Sequence, residues 1–287
     1  MKILQLVTKR QFRGAEVFAA ELSKQLLQRN HTILFVGLYA PANPPLEVEG
    51  ATHVDLFAQK PRFFSIALLR KLIQLIKSEK PDIIQANGSD TLKYVAIAKL
   101  VAKIPPVTYR NISMISVWIN SPIKKWWVKT VMSQVDFVTS VGEFARRDFI
   151  NTLNFPEDKI KVISRGIPIQ PQSREEGKII LKQRFPHVQH EDPIIIHIGN
   201  FSPEKNHRFL LEVMEIIKLI NPNVRLLCLG GGVLWDAIDA EIKQRQLENQ
   251  ILLFGFYPQP GKLLAAADLT VLCSTVEGVP GVILEAG

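Results

Sequence analysis

The stretch EGVPGVILEAG runs from Glu277 to Gly287, and the apolar run Leu269 to Cys273 lies shortly before it. Two glutamates, Glu277 and Glu285, stand eight positions apart around a Gly-Val-Pro-Gly turn. A strand, a tight glycine-containing turn and a helix start leave free backbone N–H groups that point at an anion. In that arrangement Glu277 sits at the mouth of a pocket. Glu285 sits a turn or two into the helix, where a carboxylate can accept hydrogen bonds from a sugar diol. Taken by themselves, the two glutamates read equally well as an exposed loop acid and an exposed helix acid.

Working outward, apolar β-type runs alternate with helical patterns along the chain, the signature of α/β architecture with parallel sheets. The first half offers strands at 3–7, 32–38, 52–56, 82–85, 107–110 and 137–140. The second half offers 194–199, 224–229, 250–254 and 269–273. Leu68, Leu69, Leu72, Leu75 and Ile76 form the apolar stripe of one helix. Residues 165–192 are polar and charged and contain Pro168, Pro171, Gly177 and Pro186, which suits a linker followed by a peripheral helix. The expectation is therefore two Rossmann-like domains, 1–168 and 169–287.

Composition narrows the class. The chain has 287 residues, 47% of them hydrophobic and 22% charged, as in a globular protein rather than a disordered one. It has no apolar run of membrane-spanning length. The apolar segment after Met1 and Lys2 is too short for the core of a signal peptide, so the expected location is cytoplasmic. Cys228 and Cys273 lie in apolar runs and read as buried thiols. His187 and His190 lack companions at metal-ligand spacing, so no metal is expected. Residues 1–165 hold 24 Lys and Arg against 13 Asp and Glu, a net +11. Residues 166–287 hold 11 against 14, a net −3. The basic half points to an anionic partner. Without basic–aromatic interleaving or a reader motif, nucleic acid is not expected, and an anionic acceptor or membrane surface fits better.

Several further segments can carry chemistry. Arg13-Gly14-Ala15-Glu16 follows the first strand and opens a helix, where open α/β sheets bind ligands; a plain tight turn fits as well. In Gly199-Asn200-Phe201-Ser202-Pro203-Glu204-Lys205-Asn206, Ser202 suits an N-cap and Pro203 the first helical position. Lys205 then falls in the first turn, where a cation neutralises a leaving diphosphate, although a solvated lysine is the ordinary alternative. Gly230-Gly231-Gly232 follows a strand and suits a backbone wall or a flexible turn. Phe256 ends another strand and is a base-stacking or a core residue. Lys124-Lys125-Trp126-Trp127-Val128-Lys129 suits a membrane interface, unless the tryptophans pack inward.

Gly14-Ala15-Glu16, Pro203-Glu204-Lys205, Gly231, Ala265-Ala266-Ala267-Asp268 and EGVPGVILEA occur in the order found in family-four retaining glycosyltransferases of the GT-B fold, and the chain resembles that family over essentially its whole length. Lys80-Pro81-Asp82-Ile83-Ile84 and Val135-Asp136-Phe137-Val138-Thr139-Ser140 add to the resemblance. It implies an N-terminal domain for the acceptor, a C-terminal domain for a nucleotide-sugar, and reaction in the cleft between them. Lys205 would bind the diphosphate, and Glu277 would contact the sugar and stabilise an oxocarbenium-like transition state. Backbone N–H groups across Gly278, Val279, Pro280 and Gly281 would hold phosphate and sugar, and Glu285 the ribose hydroxyls. Gly14, Ala15, Asn200, Gly231 and Phe256 complete the donor set, while Asn87, Arg110 and Asn111 are the acceptor candidates. The anomeric configuration would be retained, with no metal and no cofactor beyond the nucleotide-sugar substrate. The implied role is cell-surface polysaccharide or glycolipid assembly.

The chain also departs from the pattern. Asn200 stands where the family has an arginine sharing the diphosphate, Arg165 where an asparagine is common, and Arg110-Asn111 where a histidine often faces the sugar. Family members continue with two more strands and closing helices, so the second domain is expected to be incomplete. A catalytically dead binding protein and a sugar-nucleotide epimerase of the same fold are the alternatives.

Overall fold

The computed structural model describes residues 1–41, 44–164, 166, 172–277 and 279–287. Arg165, Pro168, Pro171 and Gly278 therefore lie outside the described residues. The chain divides into two compact units, Met1–Arg165 and Gly166–Gly287.

The first unit is built on a seven-stranded parallel sheet. Its strands are β1 (Lys2–Lys9), β2 (Thr32–Tyr39), β3 (Thr52–Phe57), β4 (Ile83–Asn87), β5 (Val107–Asn111), β6 (Phe137–Ser140) and β7 (Ile160–Val162), in the order β3-β2-β1-β4-β5-β6-β7. β1 and β2 read as nearly unbroken apolar runs because helices cover both faces of a parallel sheet. Crossovers are made by α1 (Gly14–Gln28), α2 (Ile66–Glu79), α3 (Ser89–Val101), α4 (Pro122–Met132) and α5 (Glu143–Leu153). α2 shows how locally these helices are specified. The Ser65 side chain accepts the Leu68 N–H at 3.2 Å, Leu68, Leu69, Leu72 and Ile76 are buried, and Lys80 ends the helix at φ 47° just before Pro81. Strand order reverses between β1 and β4, which opens a crevice at their C-terminal ends.

The second unit has a four-stranded parallel sheet of β8 (Ile194–Ile198), β9 (Arg225–Leu229), β10 (Ile251–Gly255) and β11 (Leu269–Thr270), ordered β10-β9-β8-β11. Its helices are α6 (Arg174–Arg184), α7 (His207–Ile220), α8 (Trp235–Gln244), α9 (Pro260–Ala266) and α10 (Gly281–Ala286). Here the order reverses between β8 and β11, so the crevice faces the segments after Ile198 and after Thr270. The expected strand 269–273 is shorter than its apolar run. Val271 N–H still donates to Ile196 O at 2.9 Å, and beyond it Cys273 turns away to bond elsewhere.

One device recurs in both units. Asp82, Asp136 and Asp268 each precede a strand, and each carboxylate accepts the N–H of a residue on the neighbouring strand. The bonds are from Lys2 at 2.6 Å, Val107 at 2.7 Å and Ile194 at 2.8 Å. These aspartates pin strand register, which is the physical content of the sequence pattern around them. The peripheral helix expected within 165–192 is α6, and Gly177 is buried in it. A Cβ there would stand 2.1 Å from Lys262 O and 2.8 Å from the Ala266 Cβ, so the glycine allows α6 to lie on α9.

Candidate active site

The crevice at the C-terminal ends of β8 and β11 gathers the two residues with the strongest sequence signal. Lys205 Nζ donates to Glu277 Oε1, and the two side chains are only 22% and 25% exposed. Their loops are clasped together by backbone bonds. Thr275 N–H donates to Glu204 O at 2.9 Å, and the Cys273 thiol reaches both Lys205 O and Asn206 O at 3.3 Å. Burial raises the pKa of that thiol, which keeps it a protonated donor.

The local structure around Lys205 differs from the expected helix start. Pro203–Lys205 is a separate one-turn 3₁₀ helix, the Ser202 side chain caps nothing, and α7 begins only at His207. Asn206 breaks the helical path at φ 53°, in the left-handed region that asparagine tolerates. The break lets Lys205 face the crevice rather than follow α7.

The glycine run plays a more structural part than expected. Gly230 has φ 132°, and a Cβ there would meet Gly199 O at 2.0 Å. At Gly232 a Cβ would meet Phe201 O at 2.6 Å. These two glycines press the loop after β9 against the loop after β8, and Gly231 O accepts the Phe201 N–H at 3.0 Å. Gly231 itself has open space where a Cβ would go. Phe256 is half exposed just beyond β10. Val279 and Pro280 lead into α10, where Gly281 is buried and Glu285 exposed. Pro280 has no N–H, so Val279 and Gly281 supply the described backbone donors of this turn.

Two histidines at the same crevice were not read from the sequence. His197, on β8, and His207, at the start of α7, are buried, with ring centroids 4.8 Å apart in an edge-on arrangement. Phe201 stacks on His207 at 4.0 Å. Burial, together with the nearby Lys205 charge, lowers the pKa of His197, and burial, with the neighbouring His197 and Lys205, lowers that of His207 to about 4. A single histidine in an apolar run carries no signal; only the packing of α7 on β8 brings the two together.

In the first unit, Gly14 opens α1 beside the β1 crevice, with open space at its Cα and Ala15 following in the first turn. Glu16 is buried beside Gln11, and burial raises its pKa. The three acceptor candidates sit at the ends of β4 and β5 and are all buried. Asn87 Nδ2 donates to Gln5 Oε1 at 3.0 Å, and Asn111 Nδ2 donates to Ala145 O at 3.1 Å. The Arg110 guanidinium lies 3.3 Å from the centroid of the Phe18 ring on α1. The helix α4 buries Val131 and Met132 but turns its apolar N-terminal part outward: Ile123 is 81%, Trp126 66% and Trp127 43% exposed, so inward-packed tryptophans are ruled out. Among the described residues, no group of three or more His, Cys, Asp or Glu could hold a metal ion.

The sequence profile described as Glycosyltransferase Family 4 matches residues 12–170, and that described as Glycosyl transferases group 1 matches residues 180–287. The chain belongs to glycosyltransferase family 4. An uncharacterised glycosyltransferase of Methanocaldococcus jannaschii is 22% identical over 227 residues, covering 75% of this chain and 55% of the relative. The capsular polysaccharide biosynthesis glycosyltransferase CapH of Staphylococcus aureus is 25% identical over 300 residues, covering 100% of this chain and 78% of the relative. The chain thus spans little more than half the length of the first of these relatives. The crystal structure of Anabaena HepE in complex with UDP-glucose superposes with a TM-score of 0.82 at 23% identity, covering 100% of this chain and 78% of that one. The α/β fold of two Rossmann-like units is that of the GT-B class. Among the described residues, no helix of this family-four chain is long and apolar enough to cross a membrane.

Proposed function

We propose that this chain transfers a sugar from a nucleotide-sugar to a glycan or lipid-linked acceptor in cell-surface polysaccharide or glycolipid assembly, with retention of anomeric configuration. The observation that carries the reading is the Lys205–Glu277 pair at the strand-order reversal of the second unit. A donor diphosphate takes the place of Glu277 at Lys205, which then neutralises the leaving oxygen as the sugar–phosphate bond breaks. The released Glu277 carboxylate faces the sugar, where positive charge develops at the anomeric carbon. Val279 and Gly281 offer N–H groups to the phosphate or sugar, Glu285 holds the ribose, and Gly231 and Phe256 border the nucleotide. Gly14 and Ala15 leave room beside the first-unit crevice, and Asn87, Arg110 and Asn111 shape the acceptor side from beneath. Asn200 contributes a neutral amide, so Lys205 carries more of the diphosphate's charge than a Lys–Arg pair would. The donor complex of HepE and the capsular role in the name of CapH support a nucleotide-diphosphate sugar and a surface glycan.

The reaction needs no divalent ion in this reading, because Lys205 supplies the positive charge. The test is a screen of nucleotide-sugars for binding and turnover, with and without EDTA. Turnover that survives chelation and collapses in Lys205→Met supports the proposal. Turnover restored only by a divalent ion rejects the electrostatics, and no binding of any nucleotide-sugar favours a binding protein without catalysis. The work of such an enzyme is cytoplasmic, where nucleotide-sugars are made, with α4 as its contact to the membrane face.

A further inference from the structure

Beneath Lys205 lies a cluster of unused polar atoms. His197 Nε2 and both ring nitrogens of His207 are buried and lack any hydrogen-bond partner among the described residues. Each such atom costs about 1–3 kcal/mol against a bonded one, so three in one place call for a compensating role. The cluster is tied to Lys205 by close packing. Gly199 lies over both, since a Cβ on it would stand 3.3 Å from His197 Nε2 and 3.4 Å from the Lys205 Cδ. His197 is held by its other nitrogen, Nδ1, at 3.1 Å from Val271 O. His207 is held by ring contacts alone, stacked on Phe201 and edge-on to His197, which leaves both its nitrogens free of hydrogen bonds.

We infer that His207 is the charge-balancing residue of the anion site: a diphosphate that binds Lys205 draws a proton from the buffer onto His207. The inference rests on the reading of Lys205 as the diphosphate anchor. The titratable and charged groups around His207 are His197 from β8 and Lys205 from the 3₁₀ turn. Glu277 faces His197 and Lys205, and Cys273 lies against the carbonyls of Lys205 and Asn206. Without an anion, Glu277 neutralises Lys205, and a further proton on a buried imidazole is unfavourable. A diphosphate brings more negative charge than the single carboxylate it displaces. The crevice is then net negative, and an imidazolium beside it becomes favourable. Of the two rings, His207 is free to respond, because neither of its nitrogens is committed. It thereby positions the site electrostatically without touching the sugar.

The test is an NMR titration of the histidine ring signals between pH 4 and 8, with and without saturating inorganic pyrophosphate. Six histidines give few signals, and the His207 signal is the one lost in His207→Gln, or in His207→Phe should the first variant not fold. The expected result is an upward move of the His207 midpoint by at least ~1 pH unit with pyrophosphate. Calorimetry in Hepes and in Tris at pH 6 should show proton uptake in the wild type that is lost in His207→Phe. A His207 midpoint that stays put while pyrophosphate binds overturns the inference and leaves the Lys205 anchor standing. Failure of pyrophosphate to bind, or binding with unchanged affinity in Lys205→Met, overturns both.

Discussion

Lys205 and Glu277 are bound to each other in the free protein, so a substitution at Glu277 has two opposed effects. Glu277→Gln keeps the shape but removes the charge that, in the proposed mechanism, would face the anomeric carbon, and kcat should fall by roughly 10²-fold. The same change frees Lys205, and affinity for inorganic pyrophosphate should rise several-fold in calorimetry. Glu285→Gln should instead raise KM for the donor with little effect on kcat, because ribose contacts change little as the sugar bond breaks. The reverse pattern would exchange the two roles. His207 gives a second expectation at this scale. Its pKa of about 4 in the folded protein lies below the ordinary 6.5, so between those values the unfolded chain binds a proton that the folded one does not. Stability present above pH 6.5 is therefore lost as pH falls towards 4, by up to about 3 kcal/mol. His207→Phe should flatten this loss, read as the change in urea midpoint between pH 7.5 and 4.5; an equal change in both proteins would rule out His207 as the source. Lys205 and Glu277 were legible in the sequence because each sits in a compact strand–turn–helix pattern with its own spacing. The histidine pair was not, since it is made by the packing of two segments ten residues apart.

At the scale of elements, the alternation of apolar runs and helical stripes foretold the strands of both sheets, and the structure differs mainly where packing overrides pattern. β7 was missed because three residues at a sheet edge are too short to show periodicity. The strand at 269–273 stops early because Cys273 leaves the ladder to bond the 3₁₀ turn that carries Lys205. The peripheral helix expected within 165–192 is α6, and the part that Gly177 plays in it, as the contact point of two helices, carries no signal in the sequence. Gly177→Ala should accordingly destabilise the second unit by about 1–3 kcal/mol, the usual cost of overpacking, despite the better helix propensity of alanine. A urea midpoint at or above wild type would show that α6 shifts freely on α9. The register aspartates offer an independent check. Asp136→Ala removes the acceptor for Val107 N–H, and Asp268→Ala the acceptor for Ile194 N–H, each at an expected cost of about 1 kcal/mol. Loosening should appear as faster amide exchange at Val107 in the first variant and at Ile194 in the second, with the other unit unchanged.

At the scale of the whole molecule, charge is divided unevenly between the two units. Residues 1–165 carry a net +11 and residues 166–287 a net −3, so a field able to attract an anionic surface would belong to the first unit. Within that unit, α4 turns Ile123, Trp126 and Trp127 to solvent, with Lys124, Lys125 and Lys129 exposed beside them. Indole rings favour the headgroup region, and lysines beside them add about 1 kcal/mol each against anionic lipid. Such exposure costs solubility in a protein that meets only water, and it fits one whose acceptor is anchored in lipid. The chain should therefore sediment with vesicles containing phosphatidylglycerol and far less with neutral phosphatidylcholine vesicles. Salt should weaken the binding, since at 1 M the screening length shrinks to about 3 Å. Charge reversal of Lys124, Lys125 and Lys129 to glutamate should abolish the preference for anionic lipid, while Trp126→Ser with Trp127→Ser should weaken binding even at low salt. Both variants change only exposed positions, so their melting temperatures should stay near wild type. If they sediment as well as the wild type, the contact with the membrane lies on another face or does not exist.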